Sequence, residues 1–269
     1  MHAAELNGVH IHYQVIGAPE GKPTIVFVNS LGTDQRIWRD VIVRLVGEAG
    51  IVTYDKRGHG LSDLGAPPYA IEDHVGDLAA LLDRLGGRPV IVCGISVGGL
   101  IAQGIALARP DLVAGLILCD TGMKIGDEAI WLPRIEAIEA GGMEAIGDAT
   151  MDRWFTADFI AKRPDELAIY RNMLVRQPAG GYIGTARAIL GADYRERAPS
   201  IDRPTLVLVG DDDRATPPGL NAELAKAIPN ARYEVVRSAG HLPCIEQPET
   251  VAEMIGAFLA LMGEGEGEA

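Results

Sequence analysis

A chain of 269 residues with 48% hydrophobic content and a formal net charge of −13 can bury one large core, and its acidity disfavours nucleic acid or an anionic membrane surface as partners. No apolar run approaches a membrane span, and Met1-His2-Ala3-Ala4-Glu5 lacks a basic-then-apolar leader, so the expected location is the cytoplasm. Cys93, Cys119 and Cys244 are too few and too widely spaced for a disulfide framework or a zinc site; the first two end apolar strands as packing residues, and Cys244 receives no role.

In chain order, Glu5-Leu6-Asn7-Gly8-Val9-His10-Ile11-His12-Tyr13 predicts two strands joined at Asn7-Gly8, a hairpin dipeptide. His10 and His12 share one face of the second strand, which is read as solvated. Thr24-Ile25-Val26-Phe27-Val28 is a continuous apolar strand of the buried type. The loop Asn29-Ser30-Leu31-Gly32-Thr33-Asp34 follows it, then a helix from about Gln35 to Val46. Strand Ile51–Tyr54 leads into Asp55-Lys56-Arg57-Gly58-His59-Gly60-Leu61-Ser62, whose polar residues Arg57, His59 and Ser62 are assigned to loop architecture. A helix over Ile71–Leu85 carries Val75, Leu78, Leu82 and Leu85 on one stripe, with His74 off it and facing solvent.

Val90-Ile91-Val92-Cys93-Gly94-Ile95-Ser96-Val97-Gly98-Gly99-Leu100 then passes from an apolar strand through glycines into a run of helical spacing. Strand, sharp turn and helix with Ser96 at the apex form the G-x-S-x-G nucleophile elbow; the competing reading is a serine that only caps the helix. After strand Val113–Cys119 and Asp120, the region from Met123 to about Arg197 carries helical patterns without a convincing strand. Such an insertion reads as a lid over the carboxyl ends of the strands or as a purely structural bundle. Strand Thr205–Val209, a helix to Ile228, strand Tyr233–Val236 and a helix from Pro248 to Met262 complete the alternation, and Gly263–Ala269 reads as a frayed tail.

The fold class is therefore α/β, with a mostly parallel eight-stranded sheet and helices on both faces, and the elbow at Ser96 makes it similar to the α/β-hydrolase fold. Its expected divisions are 1–122 and 198–269 as core and 123–197 as helical lid. A serine nucleophile needs a base, and the base needs a carboxylate that holds one tautomer. Ser96, an acid within the run Asp211-Asp212-Asp213 and His241 occur in the order serine, acid, histidine, each just past the end of a strand; resemblance to the Gly-x-x-Asp-x-x-x-Pro pattern of similar proteins, matched by Gly210, Asp213 and Pro217, implies Asp213. Asp120 is the alternative acid, with Asp211 and Asp212 serving turn amides. Oxyanion donors are expected at the backbone amides of Val97 and Leu31.

The chain resembles the 3-oxoadipate enol-lactonases of the α/β-hydrolase superfamily along nearly its whole length. The resemblance rests on Phe27–Asp34 with Trp38, Tyr54–Ser62, Gly94–Gly99, Trp131-Leu132-Pro133-Arg134 and Arg153-Trp154-Phe155-Thr156. It implies cofactor-free and metal-free opening of a small anionic enol-lactone in bacterial catabolism of aromatic acids through protocatechuate or catechol. It also implies that Arg134 receives the substrate carboxylate, with Trp131 and Trp154 as walls or an indole donor; otherwise Arg134 is one exposed charge on an amphipathic helix. A general carboxylesterase, a perhydrolase, and a small-molecule receptor on the same scaffold are the rival functions. No feature of the sequence sets an oligomeric state.

Overall fold

Strands built almost wholly of apolar residues cannot leave one face in water, so Thr24–Val28, Val90–Ile95, Val113–Cys119 and Thr205–Gly210 require cover on both sides. In the computed structural model, which describes residues 1–264, they form the centre of one eight-stranded sheet. The strands are β1 (His2–Leu6), β2 (Val9–Ile16), β3 (Thr24–Val28), β4 (Gly50–Tyr54), β5 (Val90–Ile95), β6 (Val113–Cys119), β7 (Thr205–Gly210) and β8 (Arg232–Val236), in the order β1-β2-β4-β3-β5-β6-β7-β8. Pairing is antiparallel only at β1–β2 and β2–β4 and parallel elsewhere. Helices α1 (Arg39–Leu45), α2 (Ile71–Arg84), α3 (Val97–Ala108), α4 (Glu128–Gly141), α5 (Gly147–Trp154), α6 (Ala157–Lys162), α7 (Pro164–Val175), α8 (Ala179–Gly191), α9 (Pro218–Ala227), α10 (Pro243–Glu246) and α11 (Pro248–Glu264) complete the chain. The terminal Gly/Glu tail, expected to fray, lies outside the described residues from position 265 onward. No helix among the described residues is long and apolar enough to cross a membrane.

The chain leaves β3 for β4 on one side and later returns to β5 on the other, so the strand order reverses beside β3. Open parallel sheets bind ligands at the carboxyl ends of strands at such a switch point. Register makes this concrete: Val28 pairs with Gly94, so the loop opening at Asn29 and the elbow at Ser96 leave the sheet side by side. The same edge receives Asp120 after β6, Asp213 after β7 and His241 after β8.

Helices α4–α8 stand between β6 and β7. The exit and return of this insertion are tied by the Tyr194 N–H donating to the Met123 carbonyl at 2.8 Å. Its middle is fastened to the His241 loop: the His241 N–H donates to the Trp154 carbonyl at 2.9 Å. The Glu246 carboxylate accepts from the Thr156 N–H, the Thr156 hydroxyl and the Gly240 N–H. Helix α6 was not legible in the sequence, being too short to show a period.

Two histidines depart from expectation. His12 is 6% exposed because β2 is an inner strand and the loop after β4 folds over it. Its Nδ1 lies 2.8 Å from the Asp55 carboxylate, and its N–H donates to the Ser62 hydroxyl. His74 is 1% exposed because α8 packs on α2, with Thr185 Oγ1 3.3 Å from its Nε2. Periodicity sees the side of a helix facing the sheet but not a second helix laid over its outer face. His10 is exposed and paired with Asp63. Arg57 has an architectural role through a buried bidentate pair with Asp77, 2.6 Å on each arm.

Backbone closeness at the elbow depends on missing side chains. A Cβ on Gly98 would lie 2.2 Å from the Val28 carbonyl oxygen, and one on Gly94 would lie 2.1 Å from the Gly98 carbonyl oxygen. Gly98→Ala is expected to push α3 away from the end of β3, costing about 1–3 kcal/mol of stability as an overpacked contact, together with most of the turnover. Urea unfolding and steady-state rates measure both; a midpoint equal to that of the parent protein removes this contact as a constraint.

Candidate active site

Ser96 has φ 58° and ψ −119°, a region that a residue bearing a Cβ enters only under constraint. The constraint is visible: the Ser96 N–H donates to the Cys119 carbonyl at 2.9 Å, and the Thr121 hydroxyl donates to the Ser96 carbonyl at 2.7 Å. The serine side chain makes no capping bond to α3, so the helix-cap reading fails. Ser96 is 7% exposed and lines a cavity of about 520 Å³ together with His241, Ser30 and Leu31.

His241 turns Nδ1 toward Asp213, 3.0 and 3.1 Å from its two carboxylate oxygens, which directs Nε2 the other way. Asp213 also accepts the N–H groups of Ala215 and Thr216 and the Thr216 hydroxyl, at 2.8, 3.0 and 2.6 Å. Burial pushes this carboxyl up, but His241 and the surrounding donors outweigh it and hold Asp213 below the ordinary carboxylate range. Asp213 is therefore an anion with its lone pairs occupied.

Asp120 is its opposite. It is fully buried, with Oδ1 accepting the Gly210 N–H at 2.9 Å and Oδ2 without a partner among the described residues. Burial, followed by the charge of Asp213, raises its carboxyl well above the usual range, leaving a neutral acid. Asp120, Asp213 and His241 place ligand-type atoms within 4.8 Å of one another, the one such cluster among the described residues. Of the two candidate acids, Asp213 alone hydrogen-bonds the imidazole. Asp211 accepts the Ala239 N–H as a turn residue, whereas Asp212 pairs with Arg214. Cys244 is buried, and burial pushes its thiol up, so it offers no thiolate.

The Leu31 N–H donates to no group among the described residues, and the Val97 N–H opens α3, where first-turn amides lack helical partners. Both amides are thus available to an incoming oxyanion. The helical insertion supplies the cavity's opposite wall: Trp131, Arg134, Arg153, Trp154 and Tyr182. Arg134 stacks on Trp131, its guanidinium carbon 4.6 Å from the ring centre. The Trp131 indole N–H is already donated to the Ile125 carbonyl at 2.8 Å, so of its two expected uses only the wall is open.

Arg153 carries a site signal to which sequence reading assigned no role. It lines the cavity, donates to the Thr150 hydroxyl, and is lowered from its usual range by burial and then by the charge of Arg134. Arg214, also at the cavity, is paired with Asp212, whereas neither Arg134 nor Arg153 has a carboxylate partner among the described residues. Two uncompensated cations facing one apolar cavity favour an anionic ligand. A second cavity of similar volume, near His12, Gln35 and Arg176, contains none of these groups.

The family whose sequence pattern matches residues 25–254 is described as the alpha/beta hydrolase family. The chain is 34% identical to 3-oxoadipate enol-lactonase 1 of Acinetobacter baylyi, over 91% of each protein. It superposes on the crystal structure of the enol-lactonase from Burkholderia xenovorans with a TM-score of 0.92 at 37% identity, covering 96% of this chain and 99% of that one. A malate-bound thermophilic esterase from Thermogutta terrifontis gives 0.92 at 27% identity, covering 98% and 100%.

The contrast between the two acids is testable. Asp213→Asn is expected to lower kcat by about three to four decades, since an amide favours the wrong histidine tautomer. Asp120→Asn replaces a neutral acid by a neutral amide of the same shape and is expected to cost less than about tenfold. Steady-state kinetics on one ester decides; a greater loss in Asp120→Asn reverses the assignment.

Proposed function

The chain belongs to the alpha/beta hydrolase family, and on that premise we propose that it hydrolyses the enol-lactone of 3-oxoadipate, in bacterial catabolism of aromatic acids. Ser96 attacks the lactone carbonyl while His241 takes its proton, and Asp213 stabilises the imidazolium that forms. The amides of Leu31 and Val97 receive the oxyanion. Collapse of the tetrahedral adduct breaks the ring C–O bond and releases an enol, which takes a proton and tautomerises to the ketone. Water activated by His241 then frees the acyl group from Ser96 as a carboxylate. We take residues 123–197 as a lid on a core formed by 1–122 and 198–269, since the insertion walls the cavity.

One observation carries the substrate class: Arg134 and Arg153 face the serine's cavity without carboxylate partners among the described residues in a chain of net charge −13. The lactone carries an acetate arm, whose desolvation beneath apolar walls needs a cation. The Trp154 indole adds a further wall and an N–H. The likeness to an esterase supports a second reading, a general carboxylesterase on the same groups, for which the two arginines have no special use.

The assay is loss of the enol-lactone's ultraviolet absorbance on adding the purified protein. Turnover many times per second separates an enzyme from a receptor, and Ser96→Ala is expected to abolish it. A charge-assisted hydrogen bond to a buried carboxylate contributes about 1.5–3 kcal/mol. Arg134→Ala and Arg153→Ala are each expected to lower kcat/KM for the lactone by roughly ten- to two-hundredfold, with a neutral nitrophenyl ester nearly unaffected. Equal losses on both substrates make the arginines supports of the wall and favour the carboxylesterase.

A further inference from the structure

Lys56 follows Asp55 in the loop after β4, and its ammonium is buried, at 1% exposure. No carboxylate is in salt-bridge contact with it among the described residues. Both of its hydrogen bonds go to main-chain carbonyls, those of Asn29 and Ser30, each at 3.0 Å. A lysine placed in the interior without a carboxylate is costly, and the two carbonyls it serves immediately precede Leu31.

Geometry supplies a reason. The Ser30–Leu31 peptide is trans, so its C=O and N–H point in opposite directions. Holding the Ser30 carbonyl on the inner side turns the Leu31 N–H outward, and Ser30 and Leu31 both line the cavity of Ser96. The rest of the loop is pinned from the same direction. His59 Nε2 accepts the Gly32 N–H at 3.1 Å, with Nδ1 facing the Arg57 carbonyl, and Thr33 returns its hydroxyl to the Ser30 carbonyl. A positive charge on a peptide oxygen also polarises that peptide and makes its N–H a stronger donor.

We propose that Lys56 is the positioning residue of the oxyanion site: its buried ammonium aims the Leu31 N–H into the cavity of Ser96 and strengthens it toward an oxygen that becomes anionic. This rests on the reading of Ser96 as nucleophile. Lys56 does not touch substrate; it acts through the peptide in front of it. The charge is adjustable near neutrality, because burial pulls the ammonium down to about 7 while Asp55 and Asp34 draw it upward. The other titratable groups around it are engaged or neutral. Asp55 binds the Gln35 and Leu61 N–H groups and His12, Asp34 binds Arg36, and His59 and His74 are held neutral by burial and by Lys56 itself.

The test uses a short-chain trifluoromethyl ketone, which adds to a serine as an oxyanionic hemiketal, alongside kcat and KM for a nitrophenyl ester. Lys56→Met is expected to weaken the ketone by about ten- to hundredfold and to lower kcat by a similar factor at nearly constant KM. Lys56→Gln, uncharged but still an N–H donor, is expected to fall between, and it carries the test where Lys56→Met fails to fold. In the unaltered protein kcat is expected to decline as pH rises through about 7, because the ammonium loses its charge there. That decline is expected to vanish in either variant. Unchanged ketone affinity in the variants, or a loss confined to KM, overturns the proposal. Failure of the unaltered protein to bind the ketone overturns the Ser96 reading instead, and the role of Lys56 falls with it.

Discussion

Everything at this site depends on how closely two backbones approach at the end of the sheet. Gly98 rests against the Val28 carbonyl with no room for a Cβ, and that contact sets the elbow of β5 beside the loop leaving β3. The strained dihedrals of Ser96 are sustained by bonds to Cys119 and Thr121 on the far side. Ser96 and the Leu31 amide thus come from segments far apart in sequence but set side by side by one strand pairing. Rigidity of this kind is what electrostatic stabilisation of a transition state requires, since dipoles already aimed need no reorganisation.

Charge is distributed around that frame by burial and partners. Asp120 and Asp213 are buried side by side, yet one is neutral and the other anionic. The difference is the donors: four contacts stabilise the Asp213 anion, while Asp120 has one amide and an unpartnered oxygen. On the cavity's other wall the imbalance is cationic, with Arg134 and Arg153 without carboxylate partners among the described residues of an acidic protein. Lys56 sits behind the Leu31 amide, and its partners among the described residues are two carbonyls. Each such group costs stability; the two arginines line the cavity of Ser96, and Lys56 holds the two carbonyls that precede Leu31.

The insertion adds a mechanical link. Trp154 walls the cavity with its ring while its carbonyl holds the His241 N–H, and Glu246 ties Thr156 to Gly240. The segment that walls the cavity is thus the same one that anchors the histidine loop.

The sequence by itself determined the sheet, the elbow and the chain order of Ser96, Asp213 and His241, because these depend on local patterns: continuous apolar strands, glycines at a sharp turn, and polar residues just past strand ends. It also placed Arg134 and Trp131 on one helix. It preferred Asp213 to Asp120 but could not show the contact, since both end adjacent strands and only the turn after Gly210 brings one of them to the imidazole. Nor could it show that His12 and His74 are interior, that the Trp131 indole N–H is already taken, that Lys56 is buried against the Asn29 and Ser30 carbonyls, or that Arg153 lines the cavity. Each of those facts depends on what another element lays across the residue, and a one-dimensional pattern records a side chain's own face but not the neighbour that covers it. Tertiary packing alone decided them, by choosing which backbone carbonyl, carboxylate or empty cavity meets each polar group.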